Sequence, residues 1–525
     1  MGLPPSFAVV FQGEPTLFSL PLISTKIGTY LSLTRSVIIC NVSLPESKRY
    51  NKARGQIMAD GAEQIASSLQ TCVVGCGQCG SRIAAYFDKT PFFLARRAWH
   101  LYPVRCFSLD TDPGLAISLT KPPWNWHDIQ NIRTIPLVPS ETMVQRIFKK
   151  EPPKGNLDNL YRRPSGAGQF PYAGSLVAQE YLLKETEISE DLQRLLVEKE
   201  FTRGALLITN SLTGGTGTGF APVMPEFFSK IFSQPRITLN LSIVPEITLL
   251  ERKTGIFPAN IVYGLFQLSQ SKKVDAVILA DNETLSCDYG CGGYKDYNSL
   301  LHEIMASILL APLHEYDCPN FGKTLDFADM QRVLRPPRGF GLPELCALSY
   351  VSKRLPCLLC LRLRSRTGKA HYVTEWLKSL VNSIVHKYTG DIKTTVGRVK
   401  APIQSAVCVL SGPPRFFTRF LENSNEYYYN LEQYGKEMIS SDFRLAFLQF
   451  PEMKRVSLSL LLSGITSPKL ETIYRQVIPP QEQKDEGTLM ERIRQLSPET
   501  VEDLMLKEVR MELSKELNSD GQVLA

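Results

Sequence analysis

The sequence has no apolar stretch long enough to cross a membrane; charged residues interrupt each run, and a helical span needs roughly 20 apolar residues. No dense block of Lys or Arg is present, so nucleic acid is not an expected partner. The net charge of +7 is spread along the chain and reads as a mildly basic surface. A disulfide framework is also missing. The 12 cysteines are scattered over 525 residues, several within apolar runs such as Leu355-Pro-Cys-Leu-Leu-Cys-Leu361. That pattern suits a reducing compartment, where free Cys behaves as a small apolar residue. There is no internal repeat and no long low-complexity tract. Residues 1–57 are poor in acids, with Glu14 and Glu46 against six Lys/Arg. They lack a basic start followed by an apolar run and cleavage site, which argues against a secretory signal. An organellar targeting peptide, a disordered extension and a start codon placed too early, with Met58 as the working N-terminus, all fit their composition.

What remains is an ordinary globular composition, 43% hydrophobic and 21% charged, long enough for more than one domain. Short apolar runs at Gln70–Gly75, Val104–Leu109, Ala205–Thr209, Ile237–Val244 and Val274–Ala280 read as five strands. Helical spacing lies between them, at Gly80–Asp88, Gly174–Leu183 and Pro222–Phe232. Apolar strands alternating with helices predict an α/β, doubly wound parallel sheet covered on both faces, with ligands at the carboxyl ends of its strands. After about residue 341 strands are expected at Ala406–Leu410 and Val456–Leu462, and helices at Tyr372–Val385 and Lys469–Val477. The division predicted is an N-terminal extension (1–66), a larger α/β domain (67–310), a loop and linker helix (311–340), a smaller α/β domain (341–480) and a charged helical tail (481–525). Met490–Leu496 and Val501–Leu517 are amphipathic, read first as a solvated tail, with a partner-binding helix as the alternative.

Thr213-Gly-Gly-Thr-Gly-Thr-Gly219 follows a strand and precedes a helix. Glycines let backbone approach an anion, and successive N–H groups with a helix dipole can cradle phosphates. Gly214, Gly215, Thr216, Gly217 and Thr218 are therefore candidate phosphate contacts, the threonines adding hydroxyls. A tight turn would also use such glycines. Gly75-Cys-Gly-Gln-Cys-Gly80 follows the first strand. Its two cysteines could suggest zinc, but no second pair at zinc-finger spacing is evident.

The run Thr213–Gly219 resembles the signature loop of the tubulin/FtsZ superfamily, with Thr213 in place of a glycine and Thr218 in place of a serine. Other segments follow in that family's order. Gly75–Gly80 is similar to its first phosphate loop, which makes Gly77, Gln78 and Cys79 nucleotide contacts. Leu109-Asp-Thr-Asp-Pro-Gly114 resembles the second loop, placing Asp110 and Asp112 near a phosphate-bound Mg²⁺. Ser165-Gly-Ala-Gly168 resembles the third, with Gly166, Ala167 and Gly168 sensing the terminal phosphate. Asp281-Asn-Glu-Thr-Leu285 follows the fifth strand as in tubulins and makes Asn282 a base contact. Tyr294-Lys-Asp-Tyr-Asn298 resembles the start of the central helix, with Tyr294 stacking on guanine and Asn298 reading its edge. Asn260, in a segment similar to the CetZ branch, is a ribose- or base-side candidate. Phe321-Gly-Lys-Thr-Leu-Asp-Phe-Ala-Asp-Met330 resembles the FtsZ catalytic loop, which gives Asp326 and Asp329 the catalytic role on a neighbouring subunit. By spacing alone, two acids three residues apart at a helix start favour capping.

The resemblance covers roughly residues 70–480 and implies a GTPase. GTP or GDP and Mg²⁺ would be its ligands. Its partner would be itself in a head-to-tail polymer, or a related tubulin-like subunit. Its place would be the cytoskeleton of the cytoplasm, unless residues 1–57 direct it to an organelle. Substituted Thr213, Gln169 and Thr324 motivate an alternative, a GTP-binding regulator or adaptor that has lost assembly or hydrolysis.

Overall fold

The structure, a computed structural model, describes residues 70–88, 104–126, 128–135, 167, 170–198, 203–231, 237–246, 256–312, 325–335, 342–355, 366–420, 424–449 and 453–505. All of them fall within one compact unit, residues 62–525.

The strands are β1 (Gln70–Cys76), β2 (Val104–Asp110), β3 (Ile132–Thr134), β4 (Arg203–Ser211), β5 (Ile237–Val244), β6 (Ala276–Asp281), β7 (Glu344–Arg354), β8 (Asp391–Thr394), β9 (Gly397–Lys400), β10 (Ser405–Gly412), β11 (Phe443–Gln449) and β12 (Arg455–Ser463). Helices used below are α1 (Gly77–Asp88), α2 (Pro171–Ala178), α3 (Gly215–Phe220), α4 (Met224–Ile231), α5 (Ile256–Ser269), α6 (Asn282–Cys287), α7 (Tyr294–Leu310), α8 (Phe327–Leu334), α9 (Arg366–Val381), α10 (Ser424–Met438), α11 (Pro468–Val477) and α12 (Leu489–Arg494). Ten strands form one sheet in the order β11-β10-β12-β7-β6-β5-β4-β1-β2-β3. From β3 to β7 all neighbours are parallel; β12 is antiparallel to both β7 and β10.

Each strand sends alternate side chains to opposite faces. In β4, Ala205 and Leu207 pack with α1 and α7, while Leu206 and Ile208 pack with α2 and α4. In β10, Val407 and Val409 face α7 and α8, whereas Ala406, Cys408 and Leu410 face α5, α9, α10 and α11. Burial on both faces explains why these strands read as continuous apolar runs.

The structure joins the expected two α/β parts through hydrogen-bonded strands, since Ala276–Leu279 of β6 pairs with Glu344–Ala347 of β7. Beyond that pairing the two strands diverge, and Thr395, at the turn of the β8–β9 hairpin, fills the wedge. Its hydroxyl donates to Leu279 O (2.7 Å) and accepts from Leu348 N (3.0 Å); its backbone N–H donates to Leu348 O and its carbonyl accepts from Asp281 N, both 2.7 Å.

The first part of the tail is not a solvated extension. Leu489, Met490, Ile493 and Leu496 are buried in the same core as α5. Arg494 Nε donates to Ser269 O (3.2 Å), and Gln270 Nε2 to Arg494 O (2.9 Å). The apolar face of α12 docks there, and a reciprocal cap between Thr488 and Glu491 fixes its start. Residues 506–525 and the extension 1–66 lie outside the described residues.

Candidate functional site

The strand order β3-β2-β1-β4-β5-β6 reverses direction between β1 and β4, the place where open α/β sheets bind ligands. Two glycine-containing turns leave the carboxyl ends of those strands. One runs from β1 directly into α1, and the other runs from β4 through Leu212–Gly214 into α3.

Their backbones touch. Gly77 has φ +69°, and a Cβ there would lie 2.7 Å from Gly217 N. Only glycine takes that conformation and that approach at little cost. Gly80 and Gly174 serve packing, because added Cβ atoms would lie 1.9 Å from Thr209 O and 2.4 Å from Gly215 O. Gly214 is different: a Cβ there would meet nothing within 4 Å, so its outer side faces open space.

The threonines divide their work. Thr218 is buried and its hydroxyl donates to Ser211 O at 2.7 Å, fastening the loop from beneath. Thr216 Oγ1 lies 2.6 Å from Thr111 Oγ1, and Thr111 Oγ1 also accepts the Ala167 N–H at 2.8 Å. One hydroxyl chain thus links the loops after β2 and β4 to the segment at Ala167. Gly166 and Gly168 lie outside the described residues. Gln78 is exposed at the start of α1, and Cys79 beside it is half-buried. Burial pushes the Cys79 thiol up to about 11, so it is a neutral thiol rather than a nucleophile.

Asp110, at the end of β2, is buried. Its Oδ1 accepts from Thr111 N (2.7 Å) and Asp112 N (3.3 Å), while Oδ2 is buried with no hydrogen-bond partner among the described residues. Burial raises its carboxyl to about 6, with the backbone N–H groups of Asp112 and Thr111 and the nearby Thr216 hydroxyl opposing and the Asp112 charge adding to the rise. A buried oxygen left over beside phosphate-type loops fits a Mg²⁺ site. Asp112 is half-buried and its Oδ1 accepts from Gly114 N (2.8 Å), holding the turn.

Three base candidates line the next strand ends. Asn282 is buried at the first position of α6, directly after Asp281, whose side chain caps that helix. Tyr294 and Asn298 lie one turn apart on α7; Asn298 is buried and Tyr294 is 55% exposed. Burial first, then the nearby Glu246 and Cys79, raises the Tyr294 phenol above its usual value. The start of α7 lies beside α1, since the Tyr86 hydroxyl donates to Lys295 O at 2.9 Å. Asn260 sits inside α5, fully buried, and its amide donates to Thr213 O at 2.9 Å. It holds the signature loop from behind.

Asp326 is the N-cap of α8, its Oδ1 accepting from Asp329 N at 2.6 Å, and Asp329 lies 3.9 Å from Arg332. Neither acid is bonded to the glycine loops of its own chain. The 17 residues of α7 span about 25 Å. α7 starts beside those loops, and its last turn (Ile308, Leu309, Leu310) shares a core with Phe327, Met330 and Val333 of α8. The C-terminal end of α8 lies at the opposite edge of the sheet from the glycine loops, where Arg335 meets Asp275 and the carbonyls of Lys272 and Val274 just before β6 begins.

Sequence reasoning passed over Thr111, which stands between two acids and carries no signal of its own, and Thr395, whose role depends on strands distant in sequence. Among the described residues no group of His, Cys, Asp and Glu could by itself hold a metal ion, and no helix is long and apolar enough to cross a membrane.

Residues 166–289 match the family model described as Tubulin/FtsZ family, GTPase domain. The cell division protein FtsZ of Neisseria gonorrhoeae is 29% identical over 213 residues, covering 39% of this chain and 47% of that protein. The chain thus spans about half the length of the curated relatives it matches. Among solved structures, CetZ1 from Haloferax volcanii, a GDP-bound monomer, superposes with TM-score 0.53 at 16% identity, over 78% of this chain and 98% of that one. CetZ2 from the same organism, a GTPγS-bound protofilament, gives 0.51 at 16% identity over 78% and 97%. At these identities the superpositions establish the fold.

Proposed function

We propose that the chain is a divergent member of the tubulin/FtsZ superfamily: a GTP-binding, GTP-hydrolysing cytoskeletal protein that assembles head to tail into filaments. The carrying observation is the convergence of Gly77, Gly217, the Thr111–Thr216 hydroxyl pair and buried Asp110 at the switch point of a parallel sheet.

The open side of Gly214–Gly217 offers backbone N–H groups and the start of α3 to the phosphates. Thr216 and Ala167 face the terminal phosphate, and Gln78 and Cys79 border it. Asn282, Tyr294 and Asn298 take the guanine, and Asn260 keeps the phosphate loop in place. Asp110, assisted by Asp112, would hold Mg²⁺, which supplies positive charge against the phosphate oxygens. Asp326 and Asp329 of one subunit meet the nucleotide of the next and orient the attacking water. The water oxygen bonds to the γ-phosphorus as the bond to the β–γ bridging oxygen breaks, and GDP leaves with that electron pair. Catalysis comes from positioning and electrostatics. A heterologous contact that does not close gives a filament, and with it a cytoskeletal place in the cytoplasm. Residues 1–57 remain candidates for organelle targeting.

A second reading is a GTP-binding regulator or adaptor without turnover. The engagement of Asp326 as a helix cap favours it.

The test is equilibrium binding of GTP and ATP with Mg²⁺, followed by sedimentation of the nucleotide-bound protein. GTP binding with ATP excluded, and GTP-dependent pelleting, are expected. Equal binding of both nucleotides would overturn the assignment. GTP binding without assembly at any concentration would replace it with the regulator.

A further inference from the structure

The segment proposed to read guanine is held from outside the nucleotide-binding half. α6 has six residues, too few to be stable alone, so tertiary ties must set its position. Asp281 is where those ties meet. Its Oδ1 accepts from Glu283 N (3.2 Å) and its Oδ2 from Thr284 Oγ1 (3.2 Å), which caps α6. Its backbone N–H donates to Thr395 O of the hairpin turn at 2.7 Å. Lys469, on the first turn of α11, places Nζ 2.8 Å from Asp281 Oδ1, 2.8 Å from Pro245 O at the end of β5, and 3.3 Å from Glu283 Oε2. The Lys469 side chain is 15% exposed and that of Asp281 7%. The hairpin grips the far end of the same segment, where Lys393 Nζ donates to Asp288 O and lies 4.3 Å from the Tyr289 ring centroid.

We propose that Lys469 is a positioning residue for base recognition: by neutralising buried Asp281 and tying it to β5, it fixes the start of α6 and with it the Asn282 amide. This rests on the functional reading above and adds to it a specificity determinant some 190 residues away in sequence. The physical reason is the burial of the pair. Removing one partner leaves the other charge uncompensated in a poorly solvated place. The cheapest relief for Asp281 is to turn toward solvent, uncapping α6 and displacing Asn282. Through α11 and the hairpin the C-terminal strands and the guanine end of the site are then one coupled unit. A change at either end shifts the other.

The test uses the full chain, with Lys469→Met, Lys469→Arg and the double variant Lys469→Met/Asp281→Asn. The readouts are the Kd for GTP and for inosine triphosphate, which lacks the 2-amino group of guanine, and hydrogen exchange over residues 276–289 without nucleotide. Lys469→Met is expected to weaken GTP about tenfold, within the usual range of site coupling. It is also expected to narrow the GTP/inosine triphosphate ratio and to speed exchange in α6. Lys469→Arg should retain both affinity and ratio. The double variant keeps an Asn cap without the stranded charge and should recover much of the loss, which separates positioning from misfolding. An unchanged ratio with unchanged exchange in Lys469→Met, or equal weakening toward both nucleotides, would overturn the proposal. If the unmodified protein did not prefer GTP to ATP, the functional reading would fall first, and the inference with it.

Discussion

The hydroxyls of Thr111 and Thr216 lie 2.6 Å apart although 105 residues separate them in the chain. The same Thr111 oxygen accepts the Ala167 N–H, so three loops depend on one side chain. Thr111→Val keeps the shape and removes the hydroxyl. It should leave a buried N–H unpaired at a cost of about 1 to 3 kcal/mol, lower the thermal transition accordingly, and weaken GTP binding about fivefold or more. Calorimetric binding checks this; undiminished affinity would show that the three loops are held by other means.

Asp326 carries two readings that one pair of variants separates. As an N-cap it can be replaced by Asn with little loss, whereas Ala costs about 1 kcal/mol. As a catalytic carboxylate it cannot be replaced by Asn. Asp326→Asn should therefore retain stability and assembly while turnover falls by at least about tenfold. Asp326→Ala should lose both stability and turnover. Full turnover in Asp326→Asn would reduce the residue to its capping role.

How much of this was legible beforehand differs by element. β1, β2, β4, β5 and β6 stand out because burial on both faces makes each an apolar run. The glycine loops stand out because close backbone approach leaves little choice of residue. β7 gave only the short run Leu345–Leu348: its outer end, Tyr350–Lys353, is only partly buried and Arg354 is exposed, and its pairing with β6 spans some 70 residues of chain. Thr395 and Lys469 are ordinary in composition, and their importance comes from partners that only the folded sheet assembles. Asn260 shows a related limit. The sequence makes it a ribose- or base-side candidate, while the structure spends its amide on Thr213 O.

Arg335 closes α8 and meets Asp275, with Nε 2.8 Å from Oδ1, and its Nη2 donates to Lys272 O and Val274 O. Asp275 is buried, and that burial raises its carboxyl while Arg335 opposes the rise. Arg335→Met should cost about 3 kcal/mol by stranding that carboxylate. Urea unfolding measures it, and a loss below about 1 kcal/mol would mark the pair as a surface-type contact.

His302, on the inner face of α7, packs edge-on against Phe87 with centroids 4.6 Å apart, and its Nε2 is buried with no hydrogen-bond partner among the described residues. Burial lowers it from 6.5 to about 4. The folded form therefore binds fewer protons than the unfolded form between these values. Stability is full above about 6.5 and declines as pH falls toward 4, by about 3 kcal/mol at ~1.4 kcal/mol per unit. His302→Leu should flatten that part of the pH profile. An identical slope in the variant would assign the acid sensitivity to other groups.

The central claim is a site completed between subunits, and the specific GTPase rate against protein concentration tests it most directly. With Mg²⁺ and GTP, the rate per molecule should be near zero below a threshold concentration and rise above it, with ATP inactive throughout. A rate per molecule that stays constant with dilution, whether substantial or nil, would contradict completion by a neighbouring subunit.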